Sequence, residues 1–318
     1  MKQNDHRKGS PLQGRVIAGL GKACEVLSNE RTFVCRPRGR MYIEDPDLRP
    51  VTGDIVSFFL EKGDEGWIER TEERRSVLQR RAPETGKRQI LAANLDQVII
   101  CMAAHSPPFR RGMVDRYIVL CEASKLNLLI LLNKCDGLCS SEVDTILSPF
   151  QVLGYPCLAV SARTGEGMET VRLALQNKHS VLTGPSGVGK SSIVNFFDPS
   201  LQLRIGELNA HTQKGKHTTT VARWFPFLGG ALIDTPGLRE LGLIDVRLED
   251  LPWCFREMRP FLDRCRFRDC QHEAEPHCAV KEAVLSGDIQ QTRYDSYLQF
   301  RTEIKEETQK LPYTSESA

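Results

Sequence analysis

The sequence predicts a multi-domain chain: an N-terminal OB-type β-barrel, a central α/β domain built around a phosphate-binding loop, and a C-terminal helical zinc-binding domain. Three observations carry this. Five short β-like runs crowd into the region from Leu12 to Leu78. Strand-length apolar runs then alternate with helix-length amphipathic segments. A compact cysteine and histidine cluster follows in a helical region. At 318 residues the chain exceeds one typical domain, and 40% hydrophobic residues can supply several cores. The expected division is a polar tail at 1–11, the barrel at 12–80, the α/β domain at 81–243 and the zinc-binding domain at 244–318, with a frayed C-terminus.

The barrel strands are Arg15–Ala18, Ala23–Leu27, Thr32–Cys35, Asp54–Leu60 and Trp67–Thr71, punctuated by glycines. Short strands at this spacing fit a Greek-key barrel such as an OB-fold; an SH3-like barrel or a plain β-sandwich fits the same residues. Residues 79–90, with Arg80, Arg81, Pro83 and Gly86, read as a linker. Beyond them, Val98–Met102, Leu128–Leu132, Cys157–Val160 and Ser180–Leu182 are buried strands. The helices that follow each are near Met113–Ala123, Ser141–Leu153, Gly167–Gln176 and Ser191–Phe197. This alternation is that of a parallel sheet covered on both faces, closing near Leu232-Ile233.

No apolar run approaches the roughly 18 residues of a membrane span. The longest, Val98–Ala104, is strand-sized. Met1–Gly9 lacks the apolar stretch of a secretory signal, so a cytoplasmic location is expected. Eleven cysteines then read as thiols or metal ligands rather than disulfides. A net charge of +2 is uninformative, so any nucleic-acid argument rests on local clusters.

Gly184-Pro185-Ser186-Gly187-Val188-Gly189-Lys190-Ser191 follows a strand and opens a helix. The glycines let backbone N–H groups converge on phosphate oxygens, and the helix N-terminus favours negative charge. Lys190 would reach the β- and γ-phosphates, the Ser191 hydroxyl would ligate Mg²⁺, and Ser192 lies on the same turn. Asn133-Lys134-Cys135-Asp136 also follows a buried strand. The Asp136 carboxylate can accept the two N–H donors of guanine, which adenine does not offer. Asn133 would pin the loop, the Lys134 stem would lie over the purine, and Cys135 would contribute backbone only. Ser161-Ala162, after the next strand, would close the base pocket through backbone N–H.

Asp234 ends the last strand and suits a water-mediated Mg²⁺ contact. Gly237 can turn its N–H to the γ-phosphate. His217-Thr218-Thr219-Thr220, behind the basic Lys214-Gly215-Lys216, supplies hydroxyls for Mg²⁺, and Thr219 is the candidate taken from that run. Many GTPases place a water-orienting Gln just after this glycine. Leu238 stands there and cannot orient water, so intrinsic hydrolysis is expected to be slow.

Cys265, Cys270 and Cys278 are spaced as ligands of a closed structural zinc site, with His272 or the neighbouring His277 as the fourth; Cys254 is a spare. Cys101, Cys121 and Cys157 sit in apolar runs and read as small core residues. Arginines gather at two joints. Arg74, Arg75, Arg80, Arg81, Lys87 and Arg88 precede the α/β domain. Arg256, Arg259, Arg264, Arg266 and Arg268 surround the zinc ligands. They suggest RNA contacts.

The guanine motif precedes the phosphate loop, the reverse of the usual order, so the domain reads as circularly permuted. With the barrel, the cysteine cluster, Pro50–Val56, Ala92–Gln97, Lys216–Thr220 and Asp234–Leu241, the chain resembles the small-ribosomal-subunit-dependent GTPase A family (RsgA, also called YjeQ) over residues of about 12 to 300. The resemblance implies a GTPase that binds the small (30S) ribosomal subunit and its rRNA late in subunit maturation and leaves after hydrolysis. It also implies a monomer without DNA or membrane partners. It places the fourth zinc ligand at His272 and the catalytic role at His217, where an imidazole could orient water or act as a base. Two rivals are a GTP-dependent RNA-binding switch with negligible turnover, and a P-loop ATPase or kinase.

Overall fold

The computed structural model describes residues 10–39, 49–81, 88–201, 222–234 and 246–310. His217, Thr218, Thr219, Thr220, Gly237, Leu238 and Lys87 lie outside the described residues.

The first five strands are β1 (Leu12–Gly19), β2 (Cys24–Ser28), β3 (Arg31–Pro37), β4 (Ile55–Lys62) and β5 (Glu65–Thr71). Alternate residues point inward, and Val16, Val26, Phe33, Cys35, Val56, Phe58 and Ile68 fill the interior. The order β1-β2-β3-β5-β4, with β4 pairing back onto β1, closes the barrel, and β3 runs parallel to β5. Closure and this order select the OB type over the open sandwich.

The stretch read as a linker is instead partly a hairpin: β6 (Val77–Arg81) pairs antiparallel with β7 (Arg88–Ala93). Leu78, Leu91 and Ala92 are buried in it. The charged residues that suggested a linker mask this short apolar pattern.

The central sheet contains β8 (Gln97–Ala103), β9 (Leu128–Asn133), β10 (Cys157–Ala159), β11 (His179–Thr183), β12 (Arg223–Phe227) and β13 (Gly230–Asp234). Its order is β10-β9-β8-β11-β13-β12. All pairs are parallel except β12–β13. Strand β12 is hidden in the sequence because Pro226 interrupts a short run; β1 meets β12 at Arg223, so at Pro226 the strand is paired on one side, by β13, and tolerates the proline. Helices α1 (Arg111–Ala123), α2 (Ser140–Gln151), α3 (Met168–Leu175) and α4 (Lys190–Phe197) connect the strands.

The period of two along β8 decides the layers. Val98, Ile100 and Met102 face α1 and α2, while Ile99, Cys101 and Ala103 face α3 and α4. Burial pushes the Cys101 and Cys121 thiols up to about 12, as suits core thiols.

The barrel and the sheet are joined through β1 and β12, with Ala18 opposite Arg223. The Thr52 hydroxyl donates to Ala222 O at 2.6 Å, and Ala93 N–H donates to Thr52 O at 2.9 Å. Arg74, expected among the RNA contacts, forks onto buried Asp54 through Nε and Nη2, both at 2.8 Å.

The C-terminal residues include a 3₁₀ turn at Leu251–Cys254, a helical turn at Arg259–Leu262, then α5 (Ala279–Ser286) and α6 (Gln291–Lys310). Their core is continuous with that of α1: Phe255, Met258, Tyr297 and Phe300 belong to the same buried cluster as Val114 and Ile118. Arg293 lies between Asp115 of α1 and Glu257. Arg256 and Arg259 both pair with Glu122 of α1 at 2.7 Å and tie the C-terminal residues to it, while their side chains stay partly exposed. Among the described residues no helix is long and apolar enough to cross a membrane.

Candidate functional site

The C-terminal ends of β8, β9, β10, β11 and β13 lie at the same sheet edge, because these strands run parallel. Strand β11 ends at Thr183 and turns into the glycine-rich loop. Gly184 has φ +136°, and a Cβ there would lie 2.0 Å from Cys101 O of β8. Gly189 has φ +95°, and a Cβ there would lie 2.2 Å from Asn133 Nδ2. Both positions require glycine by conformation and by space. Val188 is buried and anchors the loop in the core, whereas Ser186 and Gly187 are exposed. The backbone then enters α4 at Lys190, whose Nζ donates to Gly184 O at 2.7 Å and Pro185 O at 2.6 Å.

Buried Asn133, at the end of β9, ties the three loops together. Its Nδ2 donates to Val188 O at 2.9 Å, and its Oδ1 accepts Ala162 N–H at 3.0 Å. The Ala162 N–H expected to serve the base is therefore engaged by Asn133 here. Lys134 has φ +62°, and its Nζ donates to Ser106 O and Gly187 O at 2.6 and 2.7 Å. That lays its stem along the glycine-rich loop. Cys135 N–H donates to Val160 O at 3.0 Å and its thiol turns inward to Leu132 O, so the side chain stays out of the cleft.

Asp136 faces the cleft. Ser161 Oγ donates to its Oδ1 at 2.7 Å, and Arg163 Nε donates to its Oδ2 at 3.0 Å. The Ser161 hydroxyl first, and the Arg163 guanidinium second, hold its carboxyl below the usual range, which keeps it an ionised acceptor. The cleft of about 880 Å³ is lined by Asn133, Lys134, Asp136, Ser161, Ala162, Ser191 and Ser192. His105, Ser106, Arg163, Asn195 and Phe196 complete it. His105, Asn195 and Phe196 carry no sequence signal for this, since only the fold carries them to the cleft. Asp234, the last residue of β13, is placed on the same edge by the Val181–Ile233 register.

The second site lies between the helical turn and α5. One ligand atom from each of Cys265, Cys270, His272 and Cys278 falls within 4.8 Å of the others. Cys265 Sγ and Cys278 Sγ are each 3.5 Å from His272 Nδ1, and 3.9 Å from one another. Tetrahedral zinc, with bonds of about 2.3 Å to sulfur and about 2.0 Å to nitrogen, separates its ligands by about 3.5–3.8 Å. The donor set therefore fits a closed zinc site. His277 and Cys254 stand outside this cluster. The chain braces it from behind: Tyr294 Oη donates to His272 O and Tyr297 Oη to Gln271 O, both at 2.7 Å, while Glu275 accepts the Gln271 and Glu273 N–H groups. Cys270→Ala is expected to lower bound zinc well below one per chain and to loosen the segment around His272, with nucleotide affinity largely intact. Metal analysis of the purified variant checks this; full zinc occupancy would remove Cys270 from the ligand set.

Comparisons with known proteins agree with this architecture. The family described as RsgA GTPase matches residues 71–244, and that described as RsgA N-terminal domain matches residues 13–68. A small ribosomal subunit biogenesis GTPase RsgA of Gemmatimonas aurantiaca is 42% identical over 299 residues, covering 92% of this chain and 97% of that protein. Its counterpart in Azotobacter vinelandii is 43% identical over 298 residues, covering 91% and 84%. The crystal structure of YjeQ from Thermotoga maritima superposes with a TM-score of 0.74 at 30% identity, covering 93% of this chain and 99% of that one. YloQ, described as a circularly permuted GTPase, gives a TM-score of 0.72 at 28% identity, covering 98% and 100%.

Proposed function

Since this chain belongs to the RsgA GTPase family and is a circularly permuted GTPase, we propose that it acts on the small ribosomal subunit. In this reading it binds that subunit late in its maturation, hydrolyses GTP under its stimulation, and dissociates. Its relatives are small ribosomal subunit biogenesis GTPases, which supports the ribosomal partner. The observation that carries the guanine assignment is the Asn133 tie, which holds the glycine-rich loop and the Ser161-Ala162 loop beside the ionised Asp136.

Each residue then has a task. Asp136 accepts the two guanine donors, and the Lys134 stem covers the purine. The N–H groups from Gly184 to Ser191 cradle the phosphates, and Lys190 leaves its carbonyl partners for the β- and γ-phosphates. Ser191 and Thr219 would hold Mg²⁺ directly and Asp234 through water, and the ion would supply positive charge beside the phosphate oxygens. Gly237 reports the γ-phosphate, and His217 orients the attacking water. Cys265, Cys270, His272 and Cys278 hold one structural Zn²⁺. Arg264, Arg266 and Arg268 remain exposed, with Arg264 over Phe261 and Arg266 over Phe267, and offer a basic, aromatic edge to rRNA. The boundaries near 80 and 243 belong to the same reading.

The test is GTP turnover by the full chain with purified small or large subunits. Slow turnover alone, raised by small subunits and not by large ones, is expected. His217→Ala should bind GTP and subunits normally yet lose about 10²-fold or more of the stimulated rate. A stimulated rate kept in that variant removes the histidine from the chemistry. Equal response to both subunits removes the ribosomal assignment.

A further inference from the structure

Both oxygens of Asp136 are engaged by the chain itself. Oδ1 accepts the Ser161 hydroxyl, and Oδ2 accepts both Nε and Nη2 of Arg163. A carboxylate oxygen offers about two lone-pair sites, so Oδ2 is saturated while Oδ1 can take one more donor. Guanine presents N1–H and its exocyclic amine side by side. This is the same planar pair of donors that a guanidinium presents. Guanine places one donor on each carboxylate oxygen, whereas Arg163 places both of its donors on Oδ2, so the base and Arg163 compete for that oxygen.

We propose that Arg163 is a competitor for the base-reading carboxylate: its guanidinium takes the place of a guanine donor on Asp136 Oδ2, and a guanine nucleotide binds by displacing it. The surroundings suit an exchange. The Arg163 side chain is 78% exposed and can leave into water. The loop does not depend on it. Ser161 N–H donates to Glu166 O at 3.0 Å, Gly165 N–H to Ser161 O at 2.9 Å, and Thr164 N–H to Ser161 Oγ at 3.2 Å. When nucleotide leaves, the returning guanidinium re-pairs the carboxylate, so Asp136 is spared an unpaired charge, and release is assisted. The inference rests on Asp136 reading guanine.

The competition should be modest, a few-fold in affinity, since exposed ion pairs are screened by water and contribute little. The experiment is stopped-flow binding of methylanthraniloyl-GDP to the zinc-loaded full chain. Arg163→Ala should bind about two- to fivefold tighter, and Arg163→Lys, which keeps charge without the fork, should fall between it and the parent. Unchanged or weaker binding in Arg163→Ala overturns the proposal, and weaker binding would make Arg163 a clamp on the bound base. The second arm uses xanthosine diphosphate in an Asp136→Asn background, where no carboxylate remains to compete for. There Arg163→Ala should have no effect; a persisting effect also overturns the proposal. If Asp136→Asn leaves the preference between guanosine and xanthosine nucleotides unmoved, the guanine reading itself fails, whatever Arg163 does.

Discussion

Asp136→Asn should lower GDP and GTP affinity by about 10²-fold or more and shift preference to xanthosine nucleotides. The carboxylate is ionised and acceptor-only. Replacing one oxygen by an amide points a donor at the exocyclic amine of guanine, so a favourable contact becomes a repulsive one. Xanthine carries a carbonyl at that position and restores the pair. Sites built to hydrogen-bond a donor discriminate this strongly because the alternative leaves desolvated groups unpaired. Titration calorimetry with GDP and xanthosine diphosphate measures both affinities. An unchanged GDP affinity would mean that the Asn133–Asp136 loop does not read the base.

The largest expected effect on stability lies far from that loop. Arg293 is 1% exposed. Its Nη1 donates to Asp115 Oδ1 and its Nε to Glu257 Oε1, each at 2.5 Å, while Ser296 Oγ holds the other Asp115 oxygen at 2.7 Å. The guanidinium also lies 4.7 Å over the Phe255 ring. Arg293→Met keeps much of the apolar stem and removes the charge, leaving Asp115 and Glu257 buried without the guanidinium they share. Breaking a buried pair in this way costs about 3–5 kcal/mol. Denaturant unfolding of the zinc-loaded protein should show that loss. Adding Asp115→Asn and Glu257→Gln should recover a large part of it, because the uncompensated charge is then gone. A loss under about 1 kcal/mol, as is usual for exposed ion pairs, would show that Arg293 does not bind α1 to the C-terminal residues in solution.

The features legible in the sequence are those written in short contiguous stretches. The strands of the barrel show in their alternation, and the strands and helices of the sheet in their lengths and apolar runs. The glycine-rich loop, Asn133–Asp136, Ser161-Ala162 and the zinc ligands each need only a fixed local spacing, since backbone geometry then delivers the donors. The order of the motifs along the chain disclosed the permutation. The choice of His272 over His277 came from resemblance, and the 3.5 Å distances from its Nδ1 to two thiols supplied the physical ground.

Other features depend on partners remote in sequence. Strand β12 becomes a strand by pairing with β13, and Pro226 hides it from local patterning. Arg74 reads as basic surface because the sequence does not show that buried Asp54 faces it, and nothing in the sequence shows that Arg256 and Arg259 share Glu122 across the fold. Arg163 reads as an ordinary loop residue until the fold sets it against Asp136, 27 positions away. Local spacing specifies which groups a loop can present, because it acts through backbone geometry. Which charges are neutralised, and which acceptor is already occupied, is decided by contacts between elements, and only the tertiary structure holds those.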